Sequence, residues 1–227
     1  MRRPRSAEAK RALEVWGQLP ATARLHTQIR WWTVPFEALQ KQVPRSGNIL
    51  EVGCGHGVLS MFLGLTSPDR SIVGVDIDGE KISLAKKAAT QLRSGEATVA
   101  FEHRVSGDIP IREGGWDAIV FADVLYLLQP QDRSRMLEAC AAALSLGGVL
   151  IVKEVDTVPA FKARITKFQE FLSTRVLRIT HGDQVHFPSA AELETELSRV
   201  GLTTKLFPID KGYFHPHCVV IGTKPTV

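Results

Sequence analysis

The stretch ILEVGCGHGVLSMFLG, residues 49–64, decides the fold. An apolar run ends in Glu51, glycines follow at 53, 55 and 57, and an apolar segment of helical character begins at Val58. Glycine accepts positive φ and lets a ligand or a second backbone come close. A helix that starts straight after a strand presents unpaired N–H groups in its first turn. The pattern predicts a strand that turns into a helix around a bound nucleotide.

Working outward, the same alternation recurs. Asn48–Val52 reads as a strand and Val58–Leu65 as its helix. Ser71–Val75, with β-branched Ile72, Val73 and Val75, reads as the next strand. Asp78 can cap a helix over Glu80–Leu92. Ala97–Glu102 and Trp116–Ala122 read as strands and Gln131–Leu144 as an amphipathic helix; Leu146-Gly147-Gly148 turns into a strand over Val149–Val155. Repeated β-α units call for a parallel sheet covered on both faces, with right-handed connections. The order then changes. A helix is predicted over 159–179, and Ser189 with Glu192 forms a capping box for Ala190–Val200. Two strands, Thr203–Pro208 and Cys218–Thr223, close the chain as an antiparallel edge. Residues 1–45 predict two or three helices broken at Pro20 and Pro35.

The chain has 227 residues, 44% hydrophobic and 23% charged, which fits one globular domain carrying an arm or lid. The opening MRRPRSAEAKR lacks the apolar core of a signal peptide, and no apolar run approaches the ~20 residues of a membrane span. Cys54, Cys140 and Cys218 are isolated and suggest no disulfide framework, so a cytoplasmic location is expected. The net charge of +4 is uneven: residues 1–45 and 153–178 are basic, and the remainder is acidic. Either these are solvated helix faces or they form a basic rim for an anionic partner.

The nucleotide can be narrowed. A dinucleotide fingerprint needs G-x-G-x-x-G, and Val58 stands where its third glycine belongs. Acids also fall at the carboxyl ends of the predicted strands: Glu51, Asp76, Asp108 and Asp123. Open α/β sheets bind ligands at those ends. Such acids serve a pyrophosphate poorly. They suit a ligand with an ammonium, a sulfonium, an exocyclic amine and a ribose diol, and S-adenosylmethionine has all four.

Over about residues 47–155 the chain resembles the class I S-adenosylmethionine-dependent methyltransferases. LEVGCGHG resembles the family's first motif, GVDID (74–78) the second, SGDIP (106–110) the third, FADVLYLL (121–128) the fourth, and LSLGGVLIVKE (144–154) the turn into strand five. The resemblance implies a Rossmann-like α/β fold whose seven-stranded sheet has order 3-2-1-4-5-7-6, with strand seven antiparallel. With the helices read in residues 1–45 and the break in alternation after strand five, the resemblance fits an N-terminal arm (1–45) and a methyltransferase domain (46–227) with a lid insertion at about 157–187. It also implies a cofactor site of Glu51, Gly53, Cys54, Gly55 and Gly57 in the loop and Asp76 on the ribose with Ile77 beside it. Gly107, Asp108 and Ile109 then lie at the adenine, with Asp123 and Val124 at the methionine end.

Methyl transfer from a sulfonium needs an aligned nucleophile and, for some acceptors, a base. Tyr126, His215 and His217 are the candidates for the acceptor mouth, with His181 and His186 on a second loop. His-x-x-x-x-His with Asp183 is too thin a set for a metal, and none is expected. The acceptor expected is a small molecule, and an apolar, basic-rimmed mouth suits one that is lipid-like or anionic. A methyltransferase of RNA or protein is the alternative, kept open by the basic arm. Against it, strand four ends in Asp-Val-Leu-Tyr rather than the motif of base-amine methylases, and no separate RNA-binding domain is visible. Trp31 and Trp32 either wall the acceptor pocket or belong to the core.

Overall fold

The computed structural model describes residues 4, 6–17, 19–156, 186–213 and 215–226. The helix expected over 159–179, His181 and nearly all of the expected lid fall outside them. The order is α1 (Ala7–Trp16), α2 (Ala21–Thr33), α3 (Phe36–Leu39), β1 (Gly47–Val52), α4 (Val58–Thr66), β2 (Arg70–Asp76), α5 (Gly79–Ala89) and β3 (Thr98–His103). There follow β4 (Trp116–Ala122), α6 (Pro130–Ala143), β5 (Leu144–Val155), α7 (Ala190–Arg199), β6 (Thr203–Pro208) and β7 (His217–Thr223). The seven strands form one sheet of order β3-β2-β1-β4-β5-β7-β6. β1 to β5 pair in parallel, and β7 runs antiparallel to both β5 and β6. This is the sheet that the sequence motifs implied.

Local chemistry sets the element ends. Asp78 caps α5, accepting from Glu80 N and Lys81 N at 3.1 Å each. Ser189 and Glu192 complete the capping box of α7. The largest boundary difference from expectation is in β5, which begins at Leu144 rather than Val149 because Leu144 already pairs with Trp116 across a register shift. Gly147, at φ +75°, makes the expected turn inside that strand.

One face of the sheet packs against α1 to α5 and the other against α6 and α7. The described residues up to 45 contribute to the first core. Trp16, Phe36 and Leu39 are almost fully buried there, and Trp31 sits edge-on to Phe62 of α4 at 5.0 Å. Trp31 is thus core, while Trp32 is half-buried against it. Burying side chains of this size is worth roughly 1.5–3 kcal/mol each. Arg70, only 2% exposed, ties the end of the arm to the sheet: its guanidinium donates to the carbonyls of Val43, Pro44 and Leu63. No helix among the described residues is long and apolar enough to cross a membrane.

Candidate functional site

The loop after β1 is built by backbone conformation. Gly53, Gly55 and Gly57 have φ of +74°, +54° and +75°. Two of them have packing reasons as well. A Cβ on Gly53 would lie 2.6 Å from Val124, and one on Gly57 would lie 2.4 Å from the Phe101 ring. Gly55 has no such neighbour: a side chain there would point into open space. The open side of that turn is where a ligand can reach the backbone. Gly53 N and Cys54 N donate to Val75 O at 2.8 and 3.0 Å, which ties the loop to the end of β2.

Two carboxylates frame this loop. Asp76 accepts from Gly55 N at 2.7 Å and from Asp78 N at 2.9 Å, so it fixes both turns and keeps lone pairs for a ligand. Glu51 is 3% exposed and accepts from Ser60 N and Ser60 Oγ. Burial raises its carboxyl to about 7 against those bonds. Ile77 is half exposed beside Asp76. The adenine-side segment begins close by, since Arg104 N donates to Asp76 O at 3.0 Å. Within it Gly107 has φ +87°, Asp108 is exposed and ion-paired to Arg104 at 3.0 Å, and Ile109 packs partly against the second core. Cys54 is buried, and its thiol is pushed well up by burial and by Glu51, which suits a loop filler and not a nucleophile. A carboxylate beside a glycine turn with an open face fits an adenosine ribose.

The other half of the site gathers at the ends of β4, β5 and β7. Asp123 takes φ +57°, which few non-glycine residues adopt. One of its carboxylate oxygens meets Lys153 Nζ and the other meets Arg30 Nη1 of α2 at 3.0 Å. Lys153 is fully buried. These two cations hold Asp123 below the usual carboxylate range although burial opposes it. Asp123 therefore meets the expected methionine end as an occupied carboxylate. Glu154 is 2% exposed and accepts from Val124 N and Leu125 N at 3.0 and 2.9 Å. Burial and Asp123 raise it to about 8.

Tyr126 stacks on Phe187 at 4.7 Å, and its carbonyl accepts from His186 N at 3.2 Å. Its hydroxyl is pushed up by burial and by Asp123 and Glu154, so it stays protonated. His217 is 3% exposed, and neither ring nitrogen has a partner at full hydrogen-bond geometry among the described residues. Burial and Lys153 push it down to about 3, opposed by Asp123 and by the backbone of Thr33. The His215 ring lies 6.2 Å away.

Helix α2 connects the two halves. His26 meets His56 of the glycine loop at 4.9 Å, Arg30 grips Asp123, and Thr33 lies at His217. Spacings of four and three place these residues on one helical stripe. Arg30, Lys153 and Glu154 escaped the candidate set drawn from sequence. The one available signal was the charged pair ending the otherwise apolar run VLIVKE. A cleft of about 650 Å³ is lined at one end by Gly107, Asp108 and Ile109, the segment expected at the adenine, and at the other by Arg112, Leu146 and Lys224 near the amino-terminal ends of β4 and β5.

Residues 49–148 match the family model described as a methyltransferase domain. The chain is 26% identical over 190 residues to a ubiquinone biosynthesis O-methyltransferase of Xanthomonas axonopodis pv. citri, covering 76% of this chain and 75% of that protein. It is 29% identical over 128 residues to a trans-aconitate 2-methyltransferase of Rhodopseudomonas palustris, covering 56% and 46%. Its fold is similar to that of magnesium protoporphyrin IX methyltransferase from Synechocystis PCC 6803, solved with bound S-adenosylhomocysteine. That likeness has a TM-score of 0.65 at 16% identity and covers 96% of this chain and 95% of the other.

Proposed function

We propose that this chain, a class I S-adenosylmethionine-dependent methyltransferase, transfers the methyl group to an oxygen of a small-molecule acceptor. The observation that carries this reading is the burial of the cluster at the ends of β4, β5 and β7: Lys153, Glu154 and His217 are 0%, 2% and 3% exposed, so an acceptor that reaches them has to be enclosed and not lie across a surface. A long polymer would have to thread one residue beneath a packed helix. The similar ubiquinone-pathway and trans-aconitate enzymes are named for methyl transfer to small molecules, which supports the same class here.

When bound, S-adenosylmethionine supplies an electrophilic methyl and a neutral thioether leaving group. Asp76 would hold its ribose hydroxyls, the Gly53–Gly57 backbone would take its close approach, and Asp108 with Ile109 would meet the adenine end. The rest of the work is orientation. His217 is neutral at pH 7, and a free ring-nitrogen lone pair can accept from an acceptor hydroxyl. Tyr126 keeps its proton and can donate to an acceptor oxygen. A ring held near 3 is a weak base, so the arrangement suits an oxygen that is already ionised, or one whose proton leaves late.

The test is calorimetry followed by turnover. S-adenosylhomocysteine should bind where NAD(H) does not, and its release from S-adenosylmethionine should require a hydroxylated or carboxylated small molecule. Turnover on tRNA or on protein alone would overturn the small-molecule reading.

A further inference from the structure

We propose that Arg30 is the residue that selects the acceptor, by binding a carboxylate on it; this rests on the methyltransferase reading above. Three observations carry the inference. First, the head of Arg30 is fixed. Nη1 donates to Asp123 Oδ2 at 3.0 Å, Nη2 donates to Ala122 O at 3.1 Å, and the guanidinium carbon lies 5.8 Å from the centre of the Phe36 ring. The next residue, Trp31, is buried in the core, which anchors the helix turn that carries it.

Second, the head is not used up. A guanidinium has five N–H groups, and the remaining three have no partner among the described residues. The side chain is 30% exposed, while Asp123 beneath it is 8% exposed. Arg30 is thus the outermost charge of the cluster.

Third, its charge is not cancelled. Asp123 already has Lys153 on its other oxygen, so one carboxylate faces two cations. Two other acids feel this cluster and both are turned away from it: Glu154 accepts from the amides of Val124 and Leu125, and Glu51 accepts from Ser60. Burial raises their carboxyls to about 8 and about 7, so neither is fully ionised at neutral pH. A partly buried positive charge with a planar set of free donors is matched by a carboxylate, which accepts two parallel N–H bonds. A helix strap that only neutralised Asp123 would need neither the free donors nor the second cation.

The experiment compares matched ligands in the presence of saturating S-adenosylhomocysteine. The probes are 3,4-dihydroxybenzoate against 3,4-dihydroxybenzamide, and cinnamate against cinnamamide, with affinities read by calorimetry. Wild-type protein should prefer the acid of each pair by about 10- to 100-fold, as expected for charge-assisted hydrogen bonds. The preference should shrink at high salt, a readout that needs no variant. Arg30→Gln should bring the ratio close to one and leave the affinity for S-adenosylhomocysteine within about threefold, while Arg30→Lys, which keeps charge but loses the fork, should retain part of the preference. Equal affinity for acid and amide in the wild type, or a preference that survives Arg30→Gln, overturns the assignment. A protein that binds S-adenosylhomocysteine but neither acid also overturns it and leaves the methyltransferase reading in place. Failure to bind S-adenosylhomocysteine at all would sink that reading itself.

Discussion

The two halves of the site are built on different principles. The cofactor half, around β1, β2 and the Gly53–Gly57 turn, is made from backbone: positive-φ glycines and amides tied to Val75 and Asp76. Each piece is local, and its one long carboxylate contact, Asp76 to Gly55, spans 21 residues. The half at the expected methionine end and acceptor mouth is made from ionisable side chains of distant elements, Arg30, Asp123, Lys153, Glu154 and His217, nearly all buried. Backbone can hold a ligand shared by a whole family. Side chains on separate elements can be exchanged to suit one acceptor. If the two halves hold cofactor and acceptor as proposed, recognition of the one and choice of the other are separable.

The sharpest way to break that contrast is Lys153→Met. It leaves a buried carboxylate short of a partner, and unfolding in urea should show a loss of about 3–5 kcal/mol. The double variant Asp123→Asn with Lys153→Met should recover much of it. If the halves are separable, the folded fraction of either variant still binds S-adenosylhomocysteine. Gly55→Val probes the other half. A β-branched residue at φ +54° is strained, and its side chain would fill the open face of the turn. Affinity for S-adenosylhomocysteine should fall more than about 100-fold, with acceptor-half stability intact. Undiminished binding would mean that the open face holds no ligand.

A smaller effect is expected from Asp76→Ala, which removes charge-assisted bonds to the ribose. Binding should weaken by about 1.5–3 kcal/mol, or roughly 10- to 100-fold. Unchanged affinity would leave Asp76 as a loop tie only.

The mildest test is pH. Glu51 and Glu154 have carboxyls raised to about 7 and about 8, so the folded state holds protons that the unfolded chain releases near 4.5. Their contribution is full below 4.5 and is lost as pH rises through 7 and then 8. His217 acts oppositely. Its folded value of about 3 lies below 6.5, so its contribution is full above 6.5 and is lost as pH falls toward 3. Of these three groups only the carboxyls titrate above pH 6.5, and between there and about pH 8 they make stability decline with rising pH by at most about 1.4 kcal/mol per unit for each ionising group. Glu154→Gln should remove the higher-pH part of that decline and Glu51→Gln the lower; a profile that neither variant alters would show both carboxyls to be ionised throughout.

The sequence by itself determined the place of the glycine turn, the two capped helices and the acids at the strand ends. These are short-range facts: β-strand alternation, helical spacing, glycine's access to positive φ and a capping serine all act within a few residues of chain. The sheet order came only through the family that the motifs resemble. The sequence also offered Tyr126 and His217 as candidates for the acceptor mouth, through the same resemblance. It left Trp31 between core and pocket, because a tryptophan on an amphipathic helix carries no mark of what it will pack against; contact with Phe62 put it in the core. Only the tertiary structure decided which cations meet Asp123. Arg30 comes from 93 residues away and Lys153 from 30, and the chain offers 28 lysines and arginines in all. Charge acts through space and has no sequence period, so the ion-pair partners, and with them the acceptor side of the site, emerge only when α2 is laid across the ends of the strands.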